Sequence, residues 1–283
     1  MKIKITADST CDLSPELIKR YDVGILPLTV VMDGKTYLDG VDIVPQDIFD
    51  TVARTKVLPK TSAASPEEYR EFFKAQLESY DYVIHYNITS KASTSYNSAK
   101  AASEEEELAG KVFVIDSLAL STGQGLLVLK ACDLAAEGKT PQEIVEITEG
   151  LRAKVNTSFV PDSLDYLHKG GRCSLASMIG AKILKLHPLI EIADGQMFAK
   201  RKLQGSMTAC FNRYIAELSA QYPSYDKTRC FITHTHCDRE LVEKVRKQIE
   251  ELFEFDEILE TFAGSVVTSH CGKGTLGLLF IAN

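Results

Sequence analysis

The sequence predicts an α/β protein of two domains: an N-terminal α/β domain with a parallel sheet over residues 1–155, and a C-terminal α+β domain with a largely antiparallel sheet over residues 156–283. Three observations support this fold class. Strand and helix signals alternate through the first half, which is typical of a parallel sheet covered by helices. A hairpin signal follows the proposed boundary, and hairpins join antiparallel strands. The length of 283 residues also suits about two domains.

The elements of the first half follow from local signals. Ser14-Pro15 opens the first helix, because serine is a good cap and proline suits the first helical position. Asp33-Gly34 predicts a tight turn after a β-rich run. Apolar runs predict strands at residues 3–7, 24–32, 81–88 and 111–116. Helices are predicted from the capping box at 65–68 to about 79, at 94–108, up to Gly138, and from the capping box at 140–143 to about 154.

The second half has a different pattern of strand and helix signals. Residues 187–205 predict a hairpin that turns at Asp194-Gly195. Residues 206–220 and 238–253 are amphipathic and predict helices, with a strand at 229–236 between them. Residues 257–270 and 275–283 complete the predicted β content, so that His270 is expected to end a strand.

Composition and charge exclude several classes of protein. The formal net charge of −7 argues against a nucleic-acid binder, which needs clustered Lys and Arg. No apolar run approaches the roughly 18 residues of a membrane-spanning helix, and the first residues do not form a signal peptide. The seven cysteines are odd in number and scattered, which predicts reduced thiols in a cytoplasmic protein.

Residues 272–277 contain a G-x-G-x-x-G pattern, the spacing of a dinucleotide-binding loop. That loop must open a helix and be followed by an acidic residue, whereas only six β-type residues follow Gly277. The phosphate-loop pattern fails as well, because Gly274 stands after Lys273 where Ser or Thr is required. We therefore expect these glycines to allow a sharp turn or a close backbone approach to a small anion.

Residues 234–238 also admit two interpretations. His234-x-His236-x-Asp238 resembles the metal-binding run of the metallo-β-lactamase superfamily, but Arg239 stands where that pattern needs histidine. The only further ligand available downstream is His270. The favoured interpretation is a strand that ends in polar residues, with Asp238 capping the next helix and no metal bound.

Three loops are rich in hydroxyl side chains, at residues 60–65, 88–99 and 115–125. Each follows or precedes a predicted helix start, and a single cap explains only one hydroxyl per loop. Hydroxyls and free backbone N–H groups at helix N-termini suit a carboxylate or a phosphate. No G-x-S-x-G nucleophile motif and no acidic Mg²⁺ cluster accompany them. The pattern indicates capture of an anion, with no catalytic residue assigned.

Six segments, taken together and in order along nearly the whole chain, resemble the DegV family. They are Asp8-Ser9-Thr10-Cys11-Asp12-Leu13, Thr61-Ser62 with Ser65-Pro66, residues 90–99, Asp116-Ser117, Gly170-Gly171-Arg172-Cys173-Ser174, and His270-x-Gly272-x-Gly274-x-x-Gly277. DegV proteins bind fatty acids and serve as the carrier subunit of bacterial fatty-acid kinase. The resemblance therefore implies a lipid-binding carrier that is not itself an enzyme.

The resemblance also implies roles for individual residues. One long-chain fatty acid is expected between the domains, with its acyl chain in an apolar tunnel of the second domain and no other cofactor. Thr61, Ser62, Ser93 and His270 would hold the carboxylate, with Gly272 and Gly274 supporting the loop. Arg172 would contact the ATP-dependent kinase that phosphorylates the carboxylate for phospholipid synthesis.

Two positions depart from the family pattern. Residues 90–96 lack both of its glycines, with Lys91 in place of one, and Lys273 replaces the usual proline of the terminal loop. Either lysine would add positive charge near the carboxylate or change which ligand fits. The alternative function is a phosphotransferase or hydrolase acting on a small phosphorylated substrate, because the fold also resembles a domain of dihydroxyacetone kinases.

Overall fold

The computed structural model describes residues 1–172 and 186–283. It is a mixed α/β structure with three sheets. A four-stranded parallel sheet has the order β2-β1-β6-β7, and a small antiparallel sheet has the order β4-β3-β5. The third sheet has the order β11-β10-β9-β14-β12-β13, with β8 paired to β14, and is antiparallel except between β12 and β13. The N-terminal parallel sheet and the largely antiparallel later sheet confirm the predicted fold class.

The first half contains seven strands and six α-helices, which alternate except where three strands follow one another after the first helix and where two helices follow one another after the last strand. The strands are β1 (Ile3–Asp8), β2 (Gly24–Leu26), β3 (Thr29–Met32), β4 (Lys35–Leu38), β5 (Lys60–Ser62), β6 (Tyr82–Asn87) and β7 (Val112–Asp116). The helices are α1 (Pro15–Arg20), α2 (Pro45–Thr55), α3 (Pro66–Leu77), α4 (Ser95–Ser103), α5 (Thr122–Ala136) and α6 (Pro141–Leu151), and a short 3-10 helix (Ser9–Cys11) follows β1.

The described part of the second half supplies the third sheet and the helices around it. A 3-10 helix (Arg152–Lys154) leads into β8 (Val155–Asn156). The other strands are β9 (Ser158–Val160), β10 (Leu186–Ala193), β11 (Gln196–Gln204), β12 (Arg229–His234), β13 (Glu257–Phe262) and β14 (Leu276–Ile281). The helices are α7 (Asp165–Lys169), α8 (Met207–Gln221), α9 (Arg239–Leu252) and α10 (Ser265–Cys271).

Helix α5 joins the two halves through one apolar core. It is buried on nearly every face, as expected of a helix that is apolar all round. Its leucines pack in the same cluster as Ile5 and Tyr86 of the parallel sheet and as Phe231 and Leu279 of the third sheet. The helix therefore lies between the two sheets and fixes one against the other.

Several sequence predictions are confirmed. Ser65 and Thr140 form the expected capping boxes, and Asp194-Gly195 is the turn between β10 and β11. Gly138 follows α5 with a φ of +82°, as a glycine that ends a helix should. No helix of the described residues is long and apolar enough to cross a bilayer.

Other predictions were wrong in ways that matter for the site. The run 24–32 is two strands in two different sheets, and α2 was not predicted. The helix expected over 94–108 ends at Ser103. Residues 265–271 form helix α10, so His270 does not end a strand but lies in the last turn of a helix.

Candidate ligand-binding site

A cavity of about 450 Å³ lies where residues of the first half face α10 and the β10–β11 hairpin. Its volume falls within the roughly 300–1,000 Å³ that is usual for small-molecule sites. The lining combines polar and apolar side chains. Thr61, Ser62, Ser93, Arg172 and His270 all line it, so the structure brings these five predicted residues together.

Thr61 and Ser62 belong to the edge strand β5 and not to a loop. Thr61 pairs with Val30 of β3, which fixes the backbone of this wall. Ser65 then caps α3, with its hydroxyl accepting a hydrogen bond from the backbone N–H of Glu68 at 3.2 Å. Thr61 and Ser62 take no part in this cap, and both residues line the cavity.

Ser93 lies in the loop that follows β6, at the carboxyl end of the parallel sheet. Its Oγ accepts a hydrogen bond from the backbone N–H of Ser95 at 3.2 Å and lies 2.9 Å from the Ser95 Oγ. The start of the loop is fixed by Asp8, whose carboxylate accepts from the backbone N–H of Ile88 at 3.0 Å. Ligands of open α/β sheets usually lie at this end of the strands.

His270 reaches the cavity from α10. Its Nε2 lies 2.9 Å from the Thr61 Oγ1, which joins the two halves of the chain by a hydrogen bond. Gly170 lies against the other side of the ring, where a Cβ would be only 2.7 Å from Nδ1. That Nδ1 is buried and has no hydrogen-bond partner among the described residues.

The surroundings of His270 keep its imidazole neutral. Burial, followed by the positive charge of Arg172, lowers the pKa of His270 from 6.5 to about 4. A neutral imidazole has one N–H donor, and the threonine hydroxyl beside it supplies a second. The pair can therefore present two donors to one carboxylate by exchanging their mutual hydrogen bond for bonds to the ligand.

This arrangement predicts the titration of His270. In the ligand-free protein the ring should titrate near its lowered pKa of about 4. A bound carboxylate should raise that pKa, because a nearby negative charge favours the imidazolium. NMR of the imidazole C–H signals, with and without stearate, measures both values. A ligand-free pKa near 6.5, or no change on adding stearate, would contradict the proposed environment.

Positive charge dominates the rim of the cavity. Arg172 and Lys91 are exposed there, and no Asp or Glu is among the described lining residues. Arg172 donates from Nη1 to the carbonyl of Gly170 at 2.8 Å. Lys273, in contrast, does not line the cavity but has its Nζ 5.9 Å from the centre of the Phe49 ring. Of the two lysines that depart from the family pattern, only Lys91 faces the site.

Apolar side chains from both halves of the chain also line the cavity. Leu28, Ile88 and Leu120 of the first half face Met197, Val266 and Val267 of the second. Behind Leu120, Val267 and Cys271 lies a further void of about 30 Å³, also lined by Phe159 and Leu279. The two spaces share Leu120, Val267 and Cys271 in their linings, so these apolar side chains separate the cavity from the space beside the third sheet. Leu120, Met197 and the valines of α10 were not predicted as site residues, because nothing in the sequence separates them from ordinary core residues.

The three glycines of the G-x-G-x-x-G pattern do not line the cavity. They lie in the segment that connects α10 to β14 and in the start of β14. Gly272 has a φ of +74°, and a Cβ there would lie 2.6 Å from the ring of Tyr166. At Gly277 a Cβ would lie 2.6 Å from the backbone oxygen of Ser158. The pattern leads into strand β14 and not into a helix, so it lacks the geometry of a dinucleotide loop.

The side chains of residues 234–238 make structural contacts: His234 Nδ1 accepts a hydrogen bond from the backbone N–H of Cys237 at 3.3 Å, and the ring of His236 lies 5.3 Å from that of Phe49. Asp238 caps α9 by accepting from the backbone N–H of Glu240 at 2.9 Å, which confirms its predicted role. His234 Nε2 lies 3.5 Å from a carboxylate oxygen of Glu260. Within the described ranges, no group of three or more His, Cys, Asp or Glu side chains could hold a metal ion. Cys173 lies outside those ranges, and the six described cysteines are free.

Comparison with known proteins shows the family to which this chain is similar. The DegV family model, described as an uncharacterised protein family, matches residues 2–283. The chain belongs to the DegV family. A DegV domain-containing protein of Caldanaerobacter subterraneus subsp. tengcongensis is 34% identical over 280 residues, which cover 99% of this chain and 98% of that protein.

Two solved DegV-like structures extend the comparison. A DegV family protein from Thermus thermophilus, described for its fatty-acid binding, is 30% identical with a TM-score of 0.91, and each chain is covered completely. A stearic acid-binding protein from Eubacterium ventriosum is 28% identical with a TM-score of 0.86, covering 99% of this chain and 98% of that one. The resemblance seen in the sequence motifs is thus confirmed at the level of the family and the fold.

Proposed function

We propose that this DegV protein binds one long-chain fatty acid in the cavity between its two domains, residues 1–155 and 156–283. The carboxylate lies at Thr61, Ser62, Ser93 and His270, and the acyl chain lies along the apolar side chains of the lining, among them Leu120 and Val267. The observation that carries the proposal is that hydrogen-bond donors and apolar side chains line the same cavity. The fatty-acid binding described for the Thermus thermophilus and Eubacterium ventriosum relatives supports it.

The energetics suit such a ligand. Removing a carboxylate from water costs free energy unless several hydrogen-bond donors satisfy it. The hydroxyls of Thr61, Ser62 and Ser93 and the imidazole of His270 are the donors available for that purpose. Burial of the chain contributes about 0.8 kcal/mol per CH₂, so a 16-carbon tail supplies on the order of 10 kcal/mol before the costs of association. Most of the affinity then comes from the tail, and the head group fixes the orientation.

The alternative, a phosphotransferase or hydrolase, is weaker on geometric grounds. Thr61 and His270 resemble a nucleophile and its base, at a distance of 2.9 Å. A catalytic histidine needs a partner on its other nitrogen and a pKa near the working pH. Here Nδ1 has no described partner, and the pKa of His270 lies near 4. The site is suited to holding an anion and poorly suited to activating a hydroxyl.

A carrier role follows from the same proposal. The protein would present the bound carboxylate to a separate ATP-dependent kinase, and the acyl phosphate would enter phospholipid synthesis in the cytoplasm. Arg172 at the exposed rim is the residue we assign to that partner, because a guanidinium can meet a phosphate with two hydrogen bonds. Arg172 also lines the cavity, so in this proposal it lies near the carboxylate of the bound fatty acid as well. The sequence did not predict this second contact.

Arg172→Ala separates binding from presentation. We expect stearate affinity to fall only a few-fold, because an exposed charge is screened by solvent. Acyl-phosphate formation with a reconstituted fatty-acid kinase should be lost. Kd and turnover are measured on the same preparation, with Lys169→Ala, an exposed neighbour outside the cavity lining, as the control. Equal losses of binding and turnover would mean that Arg172 serves the cavity alone.

The ligand itself is tested most directly by extraction. The purified protein is examined by native mass spectrometry, and its lipids are extracted and identified. One fatty acid per chain is the expected result, either co-purified or after incubation with stearate. A protein that takes up no fatty acid and turns over ATP or a phosphomonoester alone would replace this proposal with the enzymatic alternative.

A further inference from the structure

Helix α10 forms one whole wall of the cavity. Val266, Val267, His270 and Cys271 all line it, although the helix belongs to the second half of the chain. Its neighbours are mostly from the first half, since it packs against α2, β3, β5 and the 3-10 helix after β1. The position of His270 relative to Thr61 therefore depends on how α10 is held by that half.

Two buried carboxylates of the first half hold the start of α10. Asp12 accepts a hydrogen bond from the backbone N–H of Gly264 at 2.8 Å, and Asp39 accepts one from the backbone N–H of Ser265 at 2.7 Å. Their exposed fractions are only 5% and 4%, so solvent does not compete for these bonds. Gly264 has no side chain to obstruct them, and a Cβ there would lie 3.1 Å from both carboxylates.

Each carboxylate is also fixed on its other oxygen. Ser121 donates to Asp12 at 2.5 Å, and Ser9 donates to Asp39 at 2.8 Å. Ser9 in turn accepts from the backbone N–H of Leu28 at 3.1 Å. Leu28 and Leu120, the neighbour of Ser121, line the cavity. The same two side chains therefore connect α10 to the facing wall of the site.

We propose that Asp12 and Asp39 are positioning residues for the carboxylate site. The first N–H groups of a helix have no partner within the helix, so these two hydrogen bonds fix both the place and the direction of α10. The last turn then presents the imidazole of His270 beside Thr61. This inference rests on the proposed fatty-acid site and assigns to it two residues that never touch the ligand.

The test compares two ligands with the same tail. Stearate carries the carboxylate, and stearyl alcohol lacks it. Asp39→Ala should weaken stearate binding by about tenfold, because His270 is no longer held in place to donate a hydrogen bond to the stearate carboxylate, and loss of one hydrogen bond to a charged group has about this effect. Binding of stearyl alcohol should change by less than about twofold. Asp39→Asn should retain most of the stearate affinity, because its amide oxygen still accepts from Ser265.

Controls separate positioning from general damage. Asp238→Ala removes a cap from α9, away from the cavity, and should leave both affinities unchanged. Gly264→Ala crowds both carboxylates and should repeat the selective loss, which keeps the proposal testable if Asp39→Ala does not fold. Equal losses for both ligands, or no loss, would overturn the positioning role. Failure of the wild-type protein to bind stearate would instead overturn the proposed function.

Discussion

His270→Ala is expected to weaken stearate binding by about 10- to 100-fold, because a hydrogen bond to a charged group contributes about 1.5–3 kcal/mol. The free energy of unfolding of the ligand-free protein should change little. Among the described residues His270 makes one hydrogen bond, to Thr61, and its buried Nδ1 has no partner there, so little native stabilisation is lost. Calorimetric titration gives the affinity, and thermal unfolding without ligand gives the stability.

A matched histidine serves as the control. His168 is exposed on α7 and does not line the cavity, so His168→Ala should leave both quantities unchanged. The two outcomes for His270 are easily told apart. Unchanged binding together with a large loss of stability would make His270 a structural residue that happens to face the cavity.

Gly272→Ala should destabilise the fold by roughly 2–4 kcal/mol, the sum of a strained positive φ and overpacking. The φ of Gly272 is +74°, and the new Cβ would lie 2.6 Å from the ring of Tyr166. Because Cys271 and His270 immediately precede this glycine, stearate binding should weaken as well. Denaturant unfolding measures the change in stability, and titration measures the change in affinity.

Gly150→Ala provides the comparison. Gly150 lies in α6 with open space around it, since no described atom beyond its chain neighbours and the backbone of its own helix would come within 4 Å of an added Cβ. The substitution should be neutral or stabilising by up to about 1 kcal/mol, because alanine favours a helix. Equal stability changes at the two glycines would show that the contact with Tyr166 is unimportant.

The capped helices and the hairpin could be predicted because their signals are local. Ser65, Thr140 and Asp238 each satisfy a backbone group within three residues, whatever surrounds them. Pro27 carries a similar local signal. It lacks an N–H group and falls between β2 and β3, where the run 24–32 divides into two sheets.

Helix α10 could not be predicted for the opposite reason. Val266, Val267 and Thr268 are β-branched and favour strands, and the helix has only seven residues. Its start is held by Asp12 and Asp39, which lie more than 200 positions earlier in the chain. Tertiary contacts of that separation are invisible to any window along the sequence.

The same distinction between local signals and long-range contacts applies to the candidate site. The hydroxyls of Thr61, Ser62 and Ser93 stood out because one cap per loop did not account for them, and the structure brings them to one cavity. Lys273 was expected either to add positive charge near the carboxylate or to change which ligand fits, but its Nζ lies over the ring of Phe49, outside the cavity lining. Only the three-dimensional course of the glycine turn decides which way that side chain points.

The place of β14 has a consequence for how the chain is made. This strand joins β9 and β12 at the middle of the third sheet, yet it follows both of them in the sequence. During synthesis, which begins at the N-terminus, β9–β10–β11 and β12–β13 can form only as two separate ladders with open edges. Open edges invite pairing with other chains, so a nascent molecule is most prone to aggregate just before residues 276–281 insert.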